Sequence, residues 1–129
     1  MNLKNHILLK DLEVYQCAQQ LSDIGWSIYE KLDWKLKKII GDQFITSTDS
    51  VGANIAEGYG RYHYLDKIKF LYNSRGSLFE ANNHWVELMK RRNMVESKEY
   101  EVYIIVAGNV SAKLQNFINA IYRTKNRIS

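Results

Sequence analysis

The sequence contains no proline and a single cysteine in 129 residues. Proline is the residue that most often ends or kinks a helix, so its absence favours long, uninterrupted helices. Cys17 has no second cysteine with which to form an internal disulfide, which is typical of the reducing cytosol. No apolar run reaches the length of a membrane span, and the N-terminal apolar run is too short for a signal peptide. These absences predict a cytoplasmic protein with no membrane partner.

Net charge is divided unevenly along the chain. Residues 1–60 hold six Lys or Arg and eight Asp or Glu, a net charge of −2, whereas residues 61–129 hold twelve and six, a net charge of +6. A basic half fits an anionic partner such as RNA. The same charge is ordinary for a soluble protein, so solubility is an equally good explanation.

Apolar periodicity predicts four amphipathic helices in a single domain that spans residues 1–129: 12–32, 34–60, 64–92 and 98–123. Asp11, Asp33 and Ser97 are the predicted N-caps, and the tail after residue 123 is expected to fray. Because the connections are short, the predicted fold is an all-α, up-down-up-down antiparallel four-helix bundle. The apolar face predicted for the third helix consists of Leu65, Ile68, Tyr72, Phe79, Val86 and Met89, flanked by Leu71, Leu78 and Trp85.

The most unusual stretch is SVGANIAEGYGR, residues 50–61. It lacks the Gly-Lys-Ser/Thr of a phosphate-binding loop and the third glycine of a dinucleotide-binding pattern. Gly52, Ala56 and Gly60 instead fall on one face of the second helix, where small residues let another backbone approach closely. Gly58 or Gly60 is expected to end that helix in the left-handed conformation. The stretch therefore predicts helix packing rather than a nucleotide site.

Four polar residues interrupt the apolar pattern: Asn54, Glu57, Ser77 and Glu80. The two glutamates could form a carboxylate pair for acid–base or metal chemistry. No histidine or further acid stands at ligand spacing to complete that site, and capping or hydrogen bonds between helices explain the four residues better. No other motif meets the requirements of an enzyme. The sequence predicts a non-catalytic protein with no cofactor and no metal.

Two basic clusters are the candidate nucleic-acid contacts. The first lies between the second and third helices and contains Arg61, Tyr62, His63, Tyr64, Lys67 and Lys69. The second ends the third helix and contains Lys90, Arg91 and Arg92. Basic side chains bind phosphates, and tyrosines stack on unpaired bases. Basic residues also stabilise a helix C-terminus, which is the simpler explanation of the second cluster. The clusters lie at opposite ends of the third helix, so they need not form one surface.

The central motif resembles the 23S rRNA intervening-sequence protein family. The family pattern begins Ser-x-x-x-Asn-Ile-Ala-Glu-Gly-x-Gly-Arg and continues with an acid, a Phe-Leu pair and Gly-Ser-Leu-x-Glu. The matching positions are Ser50, Asn54, Ile55, Ala56, Glu57, Gly58, Gly60, Arg61, Asp66, Phe70, Leu71, Gly76, Ser77, Leu78 and Glu80. One departure is His63, where the family usually has Ser or Thr as the cap of the third helix. Histidine is a poorer cap, which puts the geometry of this turn in doubt.

The resemblance implies a four-helix bundle that assembles as a ring-like homopentamer. It also implies a gene inside a 23S rRNA gene or a related setting, and relatives that accompany reverse transcriptases of diversity-generating retroelements and bind nucleic acid there. Two functions remain open. In the first, the protein binds structured RNA through its basic residues. In the second, it is a scaffold for a protein such as a polymerase, and the basic residues only keep it soluble.

Overall fold

The computed structural model describes the backbone of residues 7–128 and the side chains of residues 7–125. A 3-10 turn at Leu9–Asp11 precedes helix α1, Glu13–Glu30. Helix α2 covers residues 34–60, because Trp34–Leu36, Lys37–Gly41 and Asp42–Gly60 follow one another without a break. Helix α3 covers residues 64–91 as Tyr64–Glu80, Ala81–Trp85 and Val86–Arg91, and helix α4 is Ser97–Ile128. No strand occurs in residues 7–128, so the predicted all-helical class is confirmed.

The four helices enclose one apolar core. Helix α1 contacts α2 and α4, and helix α3 contacts the same two helices, so α1 and α3 lie diagonally opposite each other. This arrangement fits an antiparallel bundle with short connections. The largest fully buried side chains come from all four helices: Tyr103, Phe44, Leu21, Ile28, Ile40, Ile55, Leu71, Met89, Leu114, Ile118, Val51 and Val86.

A π-turn in α3 changes which residues face the core. Ile68, Leu71, Leu78 and Ala81 are buried at helical spacing, and the π-turn Ala81–Trp85 then inserts an extra residue. The next buried position is therefore Val86, five residues after Ala81.

The predicted apolar face of α3 is consequently wrong in part. Leu65 and Phe79 are 74% and 69% exposed, and Tyr72 lies at the surface with them. Leu71 and Leu78, which were expected on the flank, are buried. We call the outward line of Leu65, Tyr72 and Phe79 the α3 stripe.

Only one of the three predicted N-caps is confirmed. Asp33 accepts a hydrogen bond from the Leu36 backbone N–H at 2.9 Å. Asp11 lies in the preceding 3-10 turn, and Leu12 occupies the N-cap of α1 without a side-chain bond. Ser97 is the first residue of α4 rather than its cap, and its hydroxyl accepts from Lys90 Nζ at 2.9 Å.

The C-terminal helix is longer than predicted. Helix α4 continues to Ile128, although the sequence analysis expected fraying after residue 123. Its last turns pack on the start of α3. The Tyr122 and Tyr72 hydroxyls are 2.5 Å apart, the Tyr122 ring lies edge-on to Tyr64, and Lys125 Nζ is 5.0 Å from the Tyr64 ring centroid. These contacts explain why the helix persists.

The predicted glycine cap of α2 is also wrong. Helix α2 ends at Gly60, and the next residue, Arg61, is extended at φ −79° and ψ 144°. An extended residue ends the helix without a left-handed glycine, and no glycine from residue 7 to 128 has a positive φ. The left-handed position lies instead at the end of α3, where Asn93 has φ 57° and the Met94 N–H donates to the Met89 carbonyl at 2.9 Å.

Close helix approach occurs at a different glycine from those predicted. A Cβ added at Gly58 would lie 3.1 Å from the Lys67 carbonyl oxygen, so this glycine brings α2 against α3. A Cβ at Gly52 would make ordinary contact with Ala18 at 3.7 Å, and one at Gly60 would meet nothing within 4 Å. The small-residue face of Gly52, Ala56 and Gly60 is therefore not a seam of close approach within the chain.

Candidate nucleic-acid interface

Polar side chains of the SVGANIAEGYGR motif and of α3 form hydrogen bonds where α2 packs against α3. Ser77 Oγ donates to Ser50 Oγ at 3.0 Å, and Asn54 Nδ2 donates to the Ser50 carbonyl and hydroxyl oxygens, both at 2.9 Å. One turn away, the fully buried Ser74 hydroxyl donates to the Val51 carbonyl at 2.7 Å. These bonds connect α2 to α3 and fix their register. Gly76, next to Ser77, is exposed, and a Cβ there would meet nothing within 4 Å.

The two glutamates of the motif do not form a pair. Glu57 binds Arg61 one helical turn along α2, at 2.9 Å, and Glu80 accepts a hydrogen bond from Trp85 Nε1 at 2.6 Å. The contact between Ser50 and Ser77 aligns α2 with α3. In that alignment Glu57 and Glu80 are ten residue positions apart along the helix axis, which is about 15 Å. In the part of the chain that the structure describes, no three His, Cys, Asp or Glu side chains are grouped so as to hold a metal ion.

Cys17 lies on the core side of α1. Its thiol is buried, and that burial raises its pKa despite the nearby Lys113 charge. A raised pKa leaves the thiol protonated and a poor nucleophile.

In the first basic cluster, two of the predicted contacts are already engaged within the chain. Arg61 binds Glu57 and lies over the Phe70 ring, 4.8 Å from its centroid. Lys67 is half-buried, and its Nζ donates to the Tyr59 carbonyl at 3.1 Å. Burial lowers the pKa of Lys67. Tyr62, His63 and Lys69 are exposed, and Lys69 Nζ lies 6.0 Å from the Phe70 ring centroid.

Tyr62 is 91% exposed in the turn between α2 and α3. His63 lies edge-on to it and occupies the N-cap of α3 without a side-chain hydrogen bond, as expected for a poor cap. Helix α4 adds Arg123 and Lys125 at this end of the bundle, which the sequence analysis did not group with the cluster.

The second basic cluster lies at the other end of α3, so the two clusters form separate surfaces. Lys90 Nζ donates to Ser97 and lies 5.4 Å from the Tyr100 ring centroid. Arg91 and Arg92 are exposed. Arg91 ends the helix, where a positive charge is favourable, so the predicted dipole contribution applies here.

The antiparallel register adds lysines of α2 to the second cluster. Ser50 contacts Ser77, and counting 15 residues outward from each places Lys35 level with Arg92. The α2 residues Lys35 and Lys38 are exposed, and Lys37 is half-buried over the Tyr29 ring. We call these two basic runs at one end of the bundle the basic edge; its members are Lys35, Lys37, Lys38, Lys90, Arg91 and Arg92. The sequence motif KLKK was the signal that could have revealed it.

Acidic residues also lie at this end of the bundle, and Glu30 and Glu96 among them are exposed. Asp33 caps α2, Asp42 accepts from the Tyr29 hydroxyl at 2.6 Å, and Glu87 accepts from the Tyr100 hydroxyl. The last of these bonds is the main reason why the pKa of Tyr100 is raised to about 12.

The ion pairs among the described residues do not involve the basic edge. Within residues 7–125 the ion pairs are Lys31–Glu99, Arg61–Glu57 and Lys113–Glu13. The first of these joins α1 to α4, across the bundle from α2 and α3. No member of the basic edge is ion-paired to a described residue.

The structure and surface define a small all-helical bundle whose exposed features are a basic edge and an apolar stripe. A family model for the 23S rRNA-intervening sequence protein matches residues 10–116, so the chain belongs to that family. A solved structure from Bacteroides thetaiotaomicron, described as a protein of unknown function from the S23 ribosomal protein family, superposes with a TM-score of 0.77. It is 23% identical, and the match covers 85% of this chain and 98% of that one.

No curated protein matches this sequence. In the described part of the chain, no helix has the length and apolarity that crossing a bilayer requires.

Proposed function

We propose that the protein is a non-catalytic, homo-oligomeric bundle that binds structured RNA through phosphate contacts. The observation that carries this proposal is the basic edge, where six Lys and Arg side chains from two helices have no ion pair to a described residue. Phosphate contacts from lysine and arginine supply most of the sequence-independent affinity for nucleic acids. Membership of a family linked by its name to 23S rRNA supports RNA as the ligand. A reducing cytoplasm fits the free thiol of Cys17.

Self-association is the second part of the proposal, and the α3 stripe supports it. Leu65 and Phe79 are large apolar side chains that the chain leaves mostly exposed, and Tyr72 lies midway between them, so the three are spaced about two helical turns apart. An apolar line with this spacing is typical of a helix that packs against another helix. We propose a ring-like homopentamer, in which the basic edge recurs five times and weak contacts add together.

The test is RNA binding by two variants with equal changes of charge. Arg91→Glu/Arg92→Glu reverses two charges of the basic edge, and Lys10→Glu/Arg123→Glu reverses two exposed basic residues at the other end of the bundle. The first variant is expected to flatten the plot of log affinity against log salt by about two units, because each phosphate contact contributes a slope of about 0.9. The second is expected to change it far less. Equal effects would mean that net charge alone attracts RNA, and binding that ignores salt would overturn the proposal.

The alternative is a scaffold that binds a protein such as a polymerase, and the α3 stripe is the feature that favours it. Native mass spectrometry of protein purified at low salt without nuclease separates the two functions. A pentameric mass with additional mass that ribonuclease removes supports RNA binding. A bare pentamer supports the scaffold, and a bare monomer contradicts the assembly.

A further inference from the structure

We propose that the basic edge takes unpaired nucleotides, with the Trp34 ring as the platform on which a base stacks. This inference rests on the proposed RNA binding and specifies which form of RNA the surface accepts. It assigns a role to a residue that no motif in the sequence singled out.

Trp34 is unusual among the tryptophans of the chain. It is 76% exposed, although tryptophan normally buries most of its surface. Trp26 stacks on Tyr29 with ring centroids 5.3 Å apart, and Trp85 donates its indole N–H to Glu80. Trp34 has no ring contact, cation–π contact or hydrogen bond from its indole to any described residue. Its ring is therefore free to meet a ligand.

Local structure holds Trp34 at the start of α2. Asp33 caps this helix through the Leu36 N–H, so Trp34 is the first helical residue and its backbone is fixed. The π-turn Lys37–Gly41 follows directly, and Gly41 fits against the Leu32 and Tyr29 side chains. The platform is therefore carried by an ordered helix start rather than by a loose loop.

A basic side chain shares the helix face of Trp34. Lys38 lies four residues on, at the spacing that brings side chains together on a helix surface, and Lys35 is the next residue in sequence, on an adjacent face. The register of α2 and α3 places Arg92 level with Lys35. An exposed aromatic ring among lysines and arginines is the combination by which proteins bind single strands, with bases on the ring and phosphates on the charges.

Charge decides between the occupants that an exposed tryptophan could have. A second copy of this chain has a net charge of +4, so on balance it would bring further positive charge to Lys35 and Lys38. An unpaired nucleotide supplies both a π-face and a negative charge. Paired bases are already stacked within the duplex and do not offer a face to Trp34, so the platform favours unpaired over paired RNA.

The experiment uses Trp34 as its own reporter. In a Trp26→Phe/Trp85→Phe background, Trp34 is the one remaining tryptophan, because the chain contains three. The probes are an oligoadenylate and a blunt RNA duplex with the same number of phosphates, added at constant salt. We expect the oligoadenylate to quench Trp34 fluorescence and the duplex to leave it unchanged.

Affinity is then measured for three single variants of the natural chain. Trp34→Ala is expected to weaken oligoadenylate binding about ten-fold, with the salt slope and duplex affinity unchanged, because stacking involves no counterion release. Trp34→Phe is expected to restore most of the affinity. Trp26→Ala, which removes the other partly exposed indole, is the matched control and is expected to bind as the natural chain does.

The outcomes separate this inference from the proposed function. Salt-dependent binding of both probes that Trp34→Ala leaves unchanged would overturn the stacking role and leave RNA binding intact. Failure of the natural chain to bind either probe would overturn both. A smaller native mass for Trp34→Ala would show that another copy covers the ring, and quenching by anionic lipid vesicles but not by oligoadenylate would show a membrane contact; either result overturns the inference.

Discussion

The hydroxyls of Thr48 and Tyr103 lie 2.8 Å apart in the core and join α2 to α4. Thr48 Oγ1 already donates to the Phe44 carbonyl at 2.8 Å, so its hydrogen is used and Tyr103 must be the donor in the pair. Both side chains are fully buried, and the Tyr103 ring packs on Phe44 with centroids 5.3 Å apart. Because this hydrogen bond lies in an otherwise apolar core, it fixes the position and rotation of α4 relative to α2.

Tyr103→Phe is the first prediction that follows. The change keeps the ring packing and removes the donor to Thr48, so we expect the free energy of unfolding to fall by about 1 kcal/mol. Urea unfolding measures it. Thr48→Val should cost at least as much, since it leaves the Tyr103 hydroxyl buried without an acceptor. If the double variant lost the full sum of the two single losses, the hydroxyls would not be coupled.

Alanine substitution at Gly58 and at Gly76 should change the free energy of unfolding in opposite directions. Gly58→Ala places a Cβ 3.1 Å from the Lys67 carbonyl oxygen and 3.2 Å from Phe70 Cβ, and backbone atoms cannot move aside cheaply. We expect a loss of about 1–3 kcal/mol in the free energy of unfolding. Gly76→Ala meets nothing within 4 Å, and it should gain up to about 1 kcal/mol from helix propensity. Thermal unfolding compares the two; a stabilising Gly58→Ala would contradict the close approach of α2 and α3.

Alkaline pH should destabilise the fold through its tyrosines. Burial raises the pKa of Tyr103, and the hydrogen bond to Glu87 raises that of Tyr100 to about 12 from an ordinary value of 10.0. Below pH 10 both residues are neutral in the folded and unfolded states, and their contribution to stability is fully present. Between pH 10 and 12 they ionise in the unfolded chain first, so the free energy of unfolding falls as pH rises.

Denaturant midpoints at pH 8, 10 and 11 measure this decline. Tyr103→Phe removes one of the groups and should make the fall with pH shallower than in the natural chain. Tyr62→Phe is the control, because its ring is 91% exposed. A fall that is equally steep in the Tyr103→Phe variant would mean that the buried hydroxyl does not contribute.

The α3 stripe should control self-association. Phe79→Glu places a charge on a side chain that is 69% exposed within one chain, so the monomer should fold with nearly unchanged stability. We expect its native mass to be smaller than that of the natural assembly, because the charge would be buried at the contact between copies. Ile105→Glu, at a 64% exposed position on α4, is the matched control. Dissociation by the Ile105 variant alone would place the contact on α4 instead.

The amount of the fold that could be predicted depended on how local each feature is. The helix pattern and the Asp33 cap depend on residues a few positions apart, and the sequence displays them directly. The buried face of α3 could not be predicted, because the π-turn Ala81–Trp85 shifts the period by one residue and Val86 then takes the core position. The apolar periodicity of the sequence does not reveal that extra residue.

In the candidate site, too, the local features could be predicted and those that depend on helix packing could not. The basic clusters were visible as runs of letters, and their position at opposite ends of α3 followed from helix length. The partial burial of Lys67 was not anticipated, because it depends on how the start of α3 packs against the end of α2. Joining Lys35 and Lys38 to Arg91 and Arg92 required the register of two antiparallel helices, which Ser50 and Ser77 set across the seam.

The sequence by itself determined an all-helical chain of a particular family, because proline-free amphipathic periods and a specific motif are local properties. Only the tertiary structure decided which side chains are left for a partner. Leu65, Phe79 and Trp34 have the same apolar chemistry as the core residues, and whether such a side chain is buried depends on which neighbouring helix covers it. That coverage is set by helix register and by two π-turns, and both arise from packing between segments far apart in the chain.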